Sequence, residues 1–177
     1  MQQQKQPQLP QEEVQITKYE SFIQSCNLFN KLAGKDNKAT LLDLKQQLAL
    51  ISEELNETIR DLNAKNYVGL LDGYTDIAVT WAGLGMMLDS LGFNTKDALL
   101  DTANNNLTKF VAKDDSEEII STIGKYSEDG ITTELNAEYG FYAFKDINNK
   151  VKKPFSFVSN DLTKHVPAYL YIPEGGD

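Results

Sequence analysis

The alternation of apolar and polar positions predicts a run of helices followed by a pair of strands. Leu41, Leu44, Leu48, Ile51, Leu55, Ile59 and Leu62 recur at spacings of three and four. That places them along one face of an amphipathic helix about six turns long. Thr40-Leu41-Leu42-Asp43 opens it as a capping box with Asp as the acidic member. An earlier helix is predicted over about 15–33, with Tyr19, Phe22, Ile23, Cys26 and Phe29 on one face, Asn30 as a polar break and Gly34 as the stop. A third helix runs over about 66–90 and ends near Gly92. Asn94 and Asp97 then signal a fourth that continues to about Phe110, and a short helix fits 116–125.

Beyond residue 130 the period changes to two. Leu135, Ala137, Tyr139, Phe141 and Ala143 alternate with Glu134, Asn136, Glu138, Gly140 and Tyr142, which reads as a strand. Asn148-Asn149 suits a tight turn, and 150–158 is expected to return as a second strand, held at an edge by Pro154. The expected fold class is therefore mainly α, a four-to-five-helix bundle with a small C-terminal β-hairpin. Residues 1–13, rich in Gln and Pro, are expected to form a flexible arm. Residues 14–177 are expected to form one domain, with the hairpin and tail over about 131–177.

Composition narrows the chemistry. The 177 residues suit one domain with a core, and 41% hydrophobic and 24% charged residues are ordinary for a globular chain. No run is long and apolar enough for a membrane span, and the N-terminus lacks a signal-peptide core. The expected location is the cytoplasm, with no membrane partner. One cysteine, Cys26, excludes an internal disulfide, and with the one histidine, His165, it cannot build a His/Cys zinc site. Any metal is held by oxygen, which favours magnesium, manganese or calcium. A net charge of −9 argues against a nucleic-acid partner.

Two helices carry acids in suggestive places. Glu53, Glu54 and Glu57 stand on the second, with Asp61 one turn on. Asp72 and Asp76 stand four apart on the third, among Leu70, Leu71, Ile77, Ala78, Val79 and Trp81. From Asn66 to Thr95 there is no Lys or Arg. An ionised carboxylate removed from water costs several kcal/mol unless it is paired or bound to a metal. The choices are a distant cation in the chain, a raised pKa, an exposed stripe, or a cation from solution. The short connector around Asn63–Asn66 makes the two helices antiparallel, which sets the two acid groups at similar heights. Facing carboxylates repel, and a divalent cation resolves the repulsion.

E-E-L-N-E at 53–57 followed by L-D-G-Y-T-D at 71–76 resembles the all-α NTP pyrophosphohydrolase superfamily, which includes the MazG-like proteins, the dimeric dUTPases and the phosphoribosyl-ATP pyrophosphohydrolases. Their signature is E-E-x-x-E, then E-x-x-D. The first part matches in full. In the second, Asp76 fits the final Asp, but three before it stands Gly73, and the acid is Asp72, as in the D-x-x-x-D form of some phage-type relatives. Asn106-Leu107-Thr108-Lys109-Phe110 is similar to the phage-type N-M-S-K-F stretch, with Asp101 five residues before it. Asn149–Pro154 is similar to G-K-V-x-K-G/P, Asn160-Asp161-Leu162 to a closing P-D-L, and Phe29–Gly34 to the end of the first helix. Residues 111–145 resemble an insertion.

The resemblance implies hydrolysis of a nucleoside triphosphate between the α- and β-phosphates, yielding a monophosphate and pyrophosphate. A deoxynucleotide of the dUTP or dCTP class is the expected substrate. Magnesium, with manganese as a substitute, is the expected cofactor, held by Glu54, Glu57, Asp72 and Asp76. Glu53 and Glu54 are the expected catalytic carboxylates. Asn30, Asn106, Lys109, Lys150 and Lys153 are the expected substrate contacts, Asn30 as a reader of the base. The resemblance also implies a homodimer or homotetramer, and a phage-encoded member would act in the host cytoplasm. The alternative is a nucleotide-binding or sequestering protein on the same fold without catalysis.

Overall fold

The computed structural model of the chain describes residues 11–35 and 38–170. Among them are five α-helices and a small three-stranded antiparallel sheet toward the C-terminus. They divide into two compact units, one ending at Asn94 and the other beginning at Thr95. No helix among the described residues is long and apolar enough to cross a membrane.

The first unit is built from α1 (Gln11–Leu32), α2 (Leu41–Ala64) and α3 (Tyr67–Ser90). The first ten residues of the expected arm lie outside the described residues, and α1 begins at Gln11. Its end at Gly34 follows from a backbone φ of 76°, which glycine adopts without a steric penalty. The capping box at the start of α2 is complete: the Thr40 hydroxyl accepts from the Asp43 N–H, and the Asp43 carboxylate accepts from the Thr40 N–H at 2.7 Å. Lys65, in the left-handed region, ends α2, and Asn66 caps α3 by accepting from the Gly69 N–H. This two-residue link turns the chain back on itself, and α2 and α3 pack along their lengths, with α1 against α3.

The buried faces coincide only in part with the ones the apolar pattern predicts. On α1, Phe22 and Ile23 are half-buried and Cys26 is buried, but Phe29 is exposed and its neighbour Asn30 is only 2% exposed. On α2, Leu44 and Ile51 are half-buried, while Leu41, Leu48, Leu55, Ile59 and Leu62 are exposed. The column that turns inward is Gln47, Ile51, Glu54, Thr58 and Asp61. Hydrogen bonding explains the rotation. Gln47, 2% exposed, donates from Nε2 to the Thr80 carbonyl at 2.6 Å and accepts from Lys35 Nζ at 3.0 Å. Asn30 donates to the Cys26 carbonyl at 2.8 Å. Both amides rest against Gly83, where a Cβ would stand 2.9 Å from Asn30 Oδ1 and from Gln47 Nε2.

The second unit holds α4 (Thr95–Leu107), β1 (Val111–Ala112), α5 (Ser116–Lys125), β2 (Thr132–Asn136) and β3 (Phe141–Lys145). The strand order is β1-β3-β2, with Phe144 fully buried. Two expectations are corrected here. The alternating stretch 134–143 is not one strand: residues 137–140 turn the chain, Gly140 at φ 70°, so its halves pair with each other. The expected strand over 150–158 does not form either. The Asn148-Asn149 turn is present, with Asn149 at φ 65°, but only Val151 bridges back, to Lys145. From there side chains of α5 and α4 take the backbone bonds that a strand would have used. Tyr126 donates to the Lys153 carbonyl, the Thr122 hydroxyl accepts from the Phe155 N–H, Glu118 accepts from the Ser156 N–H, and Asn105 donates to the Val158 carbonyl. The segment ends in a 3₁₀ turn at Thr163–His165.

Candidate functional site: a carboxylate cluster on the α2–α3 hairpin

The five acids singled out from the sequence sit on the two helices that pack most closely. Helical geometry, 100° per residue, puts Glu54 on the α3-facing side of α2 and Glu53 and Glu57 along one flank of that side. Glu54 is half-buried; Glu53, Glu57, Asp72 and Asp76 are exposed. The helices touch at Gly73 and Thr58. A Cβ on residue 73 would overlap the Thr58 hydroxyl and lie 3.2 Å from the Thr58 Cα. Thr58 turns its own hydroxyl back to the Glu54 carbonyl at 2.7 Å. The bare glycine therefore lets the backbones approach at the point flanked by Glu54, Glu57, Asp72 and Asp76.

Electrostatics follow from that approach. Desolvation, and then the charges of Asp76, Glu57, Glu53 and Asp72, hold the Glu54 carboxyl above the usual carboxylate range. All four other acids act on this one group. Arg60 donates to Glu57 Oε1 at 2.8 Å, an exposed pair three residues apart. Among the described residues, no three acids, His or Cys are gathered into a ready-made metal cluster. The donor set is oxygen-only and anionic, which in chemistry and charge fits a hard divalent cation. The side chains are not converged into a coordination shell.

The other predicted residues are distributed differently. Asn30 is buried at the junction of α1 with α3, its amide spent on the Cys26 carbonyl. Asn106 and Lys109 do come together, with Lys109 Nζ 2.7 Å from Asn106 Oδ1. Lys150 is exposed beside the Asn149 turn, and Lys153 Nζ lies 3.4 Å from Ser159 Oγ and 5.0 Å from the Phe157 ring centroid. These four belong to the second unit. Trp81, at 38% exposure, is not a core residue.

Sequence reasoning missed two groups. Buried Gln47 and half-buried Lys35 form a polar pair; the signal was that Gln47, Glu54 and Asp61 repeat at seven, a polar column beside the leucines. Asp101 receives both Lys164 Nζ at 2.6 Å and His165 Nε2 at 2.7 Å on one oxygen, which tethers the 3₁₀ turn to α4. No local spacing foretells a pair so distant in the chain. Comparison with known protein families, with curated proteins and with solved structures returns no match.

Proposed function

We propose that the chain is a magnesium-dependent nucleotide pyrophosphohydrolase that cleaves a nucleoside triphosphate, of the deoxynucleotide class, to its monophosphate and pyrophosphate. The observation that carries this reading is the set of five carboxylates that α2 and α3 carry around the Gly73–Thr58 contact, with Glu54 half-buried. Such a cluster repels itself, and a hard cation is the simplest agent that turns it into a stable arrangement.

In this reading Glu54, Glu57, Asp72 and Asp76 hold magnesium, with manganese as a substitute, and the ion supplies charge neutralisation for the phosphates and a lowered pKa for bound water. Glu53, on the exposed flank, accepts a proton from the attacking water and orients it toward the α-phosphorus. Glu54, the half-buried member of the set, shares the catalytic role with Glu53 through the ion it holds. The chain supplies position and electrostatic complementarity rather than a covalent nucleophile.

The protein partner in this reading is a second copy. Leu41, Leu48, Leu55 and Leu62 recur every seven residues along α2 and are each half or more exposed. They lie on the flank opposite Glu53 and Glu57. On α3, Tyr74 and Trp81 likewise point away from Asp72 and Asp76. The hairpin thus has an acidic side and an apolar side. Pairing two apolar sides completes a four-helix bundle and leaves both acidic sides open.

The deciding experiment incubates the protein with Mg²⁺ and each canonical NTP and dNTP, plus dUTP, and measures pyrophosphate and monophosphate. Turnover lost in Glu54→Gln and Asp76→Asn supports the reading. Turnover that survives both substitutions overturns the assignment of the site, and no turnover of any nucleotide leaves a sequestering protein as the better description.

A further inference from the structure

One edge of the small sheet is open. In the order β1-β3-β2, the strand β2 pairs with β3 alone among the described residues, and all five of its residues are exposed. Every second residue of such an edge turns its backbone N–H and C=O outward, where they can pair with another extended chain. Natural edges are blunted by proline, by lysine, by a bulge or by a covering element. β2 has no Pro and no Lys, and its register with β3 runs unbroken from Thr132 opposite Lys145 to Asn136 opposite Phe141. Its one charge, Glu134, is paired with Lys145 on the neighbouring strand.

A cavity borders the same strand. Its volume is about 860 Å³, and it lies wholly within the second unit. Residues opposite one another on paired strands share a face of the sheet, so Glu134 with Ala143 and Asn136 with Phe141 form one face, and all four line the cavity. Leu107, Phe110 and Tyr139 stand around it; they and Phe141 are large, mostly apolar and exposed. An open edge beside an apolar cavity is how a sheet takes up an extended peptide. Backbone hydrogen bonds hold the added strand, and the cavity receives every second side chain.

Charge selects the occupant. From Tyr126 to Phe144 there is no Lys or Arg, while Glu128 and Asp129 stand before β2, Glu134 within it and Glu138 after it. Glu128, Asp129 and Glu138 are exposed. Lys113 approaches Gly140 from the β1 side of the sheet. A second copy's β2 would set acids against acids, and like charges across a strand pair destabilise it. We propose that β2 and the cavity beside it form a docking site for an extended peptide segment of a partner protein, with apolar side chains at alternate positions and Lys or Arg at both ends. The site uses no residue of the first unit and no metal, so it stands independently of the hydrolase reading.

The test is fluorescence anisotropy of a labelled peptide, Lys-Thr-Phe-Thr-Val-Thr-Lys, titrated with the full chain in low salt. Saturable binding is expected, and it should be lost when both peptide lysines are replaced by Glu. N-methylation of one alternate set of peptide amides should weaken binding about tenfold or more, and of the other set far less, because only one set faces β2. Tyr139→Ser should weaken binding about fivefold through the cavity, and Glu138→Gln about twofold to fivefold through charge. Both positions are exposed, so the variants keep their fold. Lys45→Gln on α2 should leave binding unchanged. No saturable binding, equal binding of the Glu peptide, equal effects of the two N-methylated sets, or affinity unmoved by Tyr139→Ser and Glu138→Gln combined overturns the proposal. So does a dimer of the Leu48→Lys, Leu55→Lys chain that the peptide dissociates, which would place a second copy on the edge.

Discussion

Gly73 lies flush against Thr58, with no room between the two helices for a Cβ on residue 73. The position three residues before Asp76 faces α2 directly, so it holds the smallest residue, and the acid stands one place earlier at Asp72, on the open flank.

Gly73→Ala is therefore expected to destabilise the hairpin by about 1–3 kcal/mol, the usual cost of overpacking a close contact. Chemical denaturation measures it. Thr58→Ala in the same chain should recover part of the loss, because it removes the hydroxyl that the new methyl meets first. An unchanged midpoint in Gly73→Ala would mean that the helices do not approach this closely in solution.

Relief of the carboxylate repulsion should be visible without substrate. In EDTA, Glu54→Gln is expected to raise Tm by roughly 1–3 °C, since it removes a charge on which four others act. Mg²⁺ should raise the Tm of the unsubstituted chain, by an amount set by concentration over Kd, about 2.7 kcal/mol at a hundredfold excess. Glu54→Gln should lose most of that Mg²⁺ response. Differential scanning fluorimetry separates the two effects, and a Tm insensitive to Mg²⁺ would contradict the metal site.

Assembly through the leucine line predicts a simple phenotype. Leu48→Lys with Leu55→Lys should convert a dimer to a monomer in light scattering, with helix content by circular dichroism largely retained. Both residues are exposed within the single chain, so their loss leaves no cavity in its own core. A monomer before substitution would refute assembly through this face.

The Asp101 tether gives a pH dependence of definite sign. Its hydrogen bonds to Lys164 and then His165 hold the Asp101 carboxyl below the usual carboxylate range. A depressed folded-state pKa contributes stability that is present above the unfolded value. It is lost as pH falls through the folded one. Hydrogen-exchange protection factors across residues 158–166 should therefore be high at neutral pH and fall only in strong acid. Asp101→Asn should speed exchange at neutral pH and flatten the acid dependence. Equal protection in the two proteins at pH 7 would show that the tether does not hold the turn.

The helices were legible because their signals are local. Thr40 and Asp43 cap within one turn, Gly34 and Gly92 stop α1 and α3, and the short link between α2 and α3 dictates an antiparallel pair. The five acids were legible for the same reason, since spacing alone assigns them to two facing helices. The strand pair was read less well. Alternation at 134–143 is a true period of two, but it cannot reveal a four-residue turn whose residues keep the alternation going. The absence of a strand at 150–158 depends on Glu118, Thr122, Tyr126 and Asn105, whose distance in sequence hides them.

The sequence by itself determined the helical elements, the polarity of their ends and the placement of Glu53, Glu54, Glu57, Asp72 and Asp76 on a hairpin. Only the tertiary structure decided which face of each helix is buried. Apolar spacing favours the leucines of α2 and Phe29 of α1, yet the buried positions are Gln47 and Asn30, with Thr58 half-buried. The reason is that Gly83 leaves room for Gln47 to reach the Thr80 carbonyl on the neighbouring helix, while Asn30 and Thr58 satisfy their polar groups on carbonyls of their own helices, Cys26 and Glu54. A satisfied polar contact at short range then displaces an apolar one, and the leucines remain on the surface.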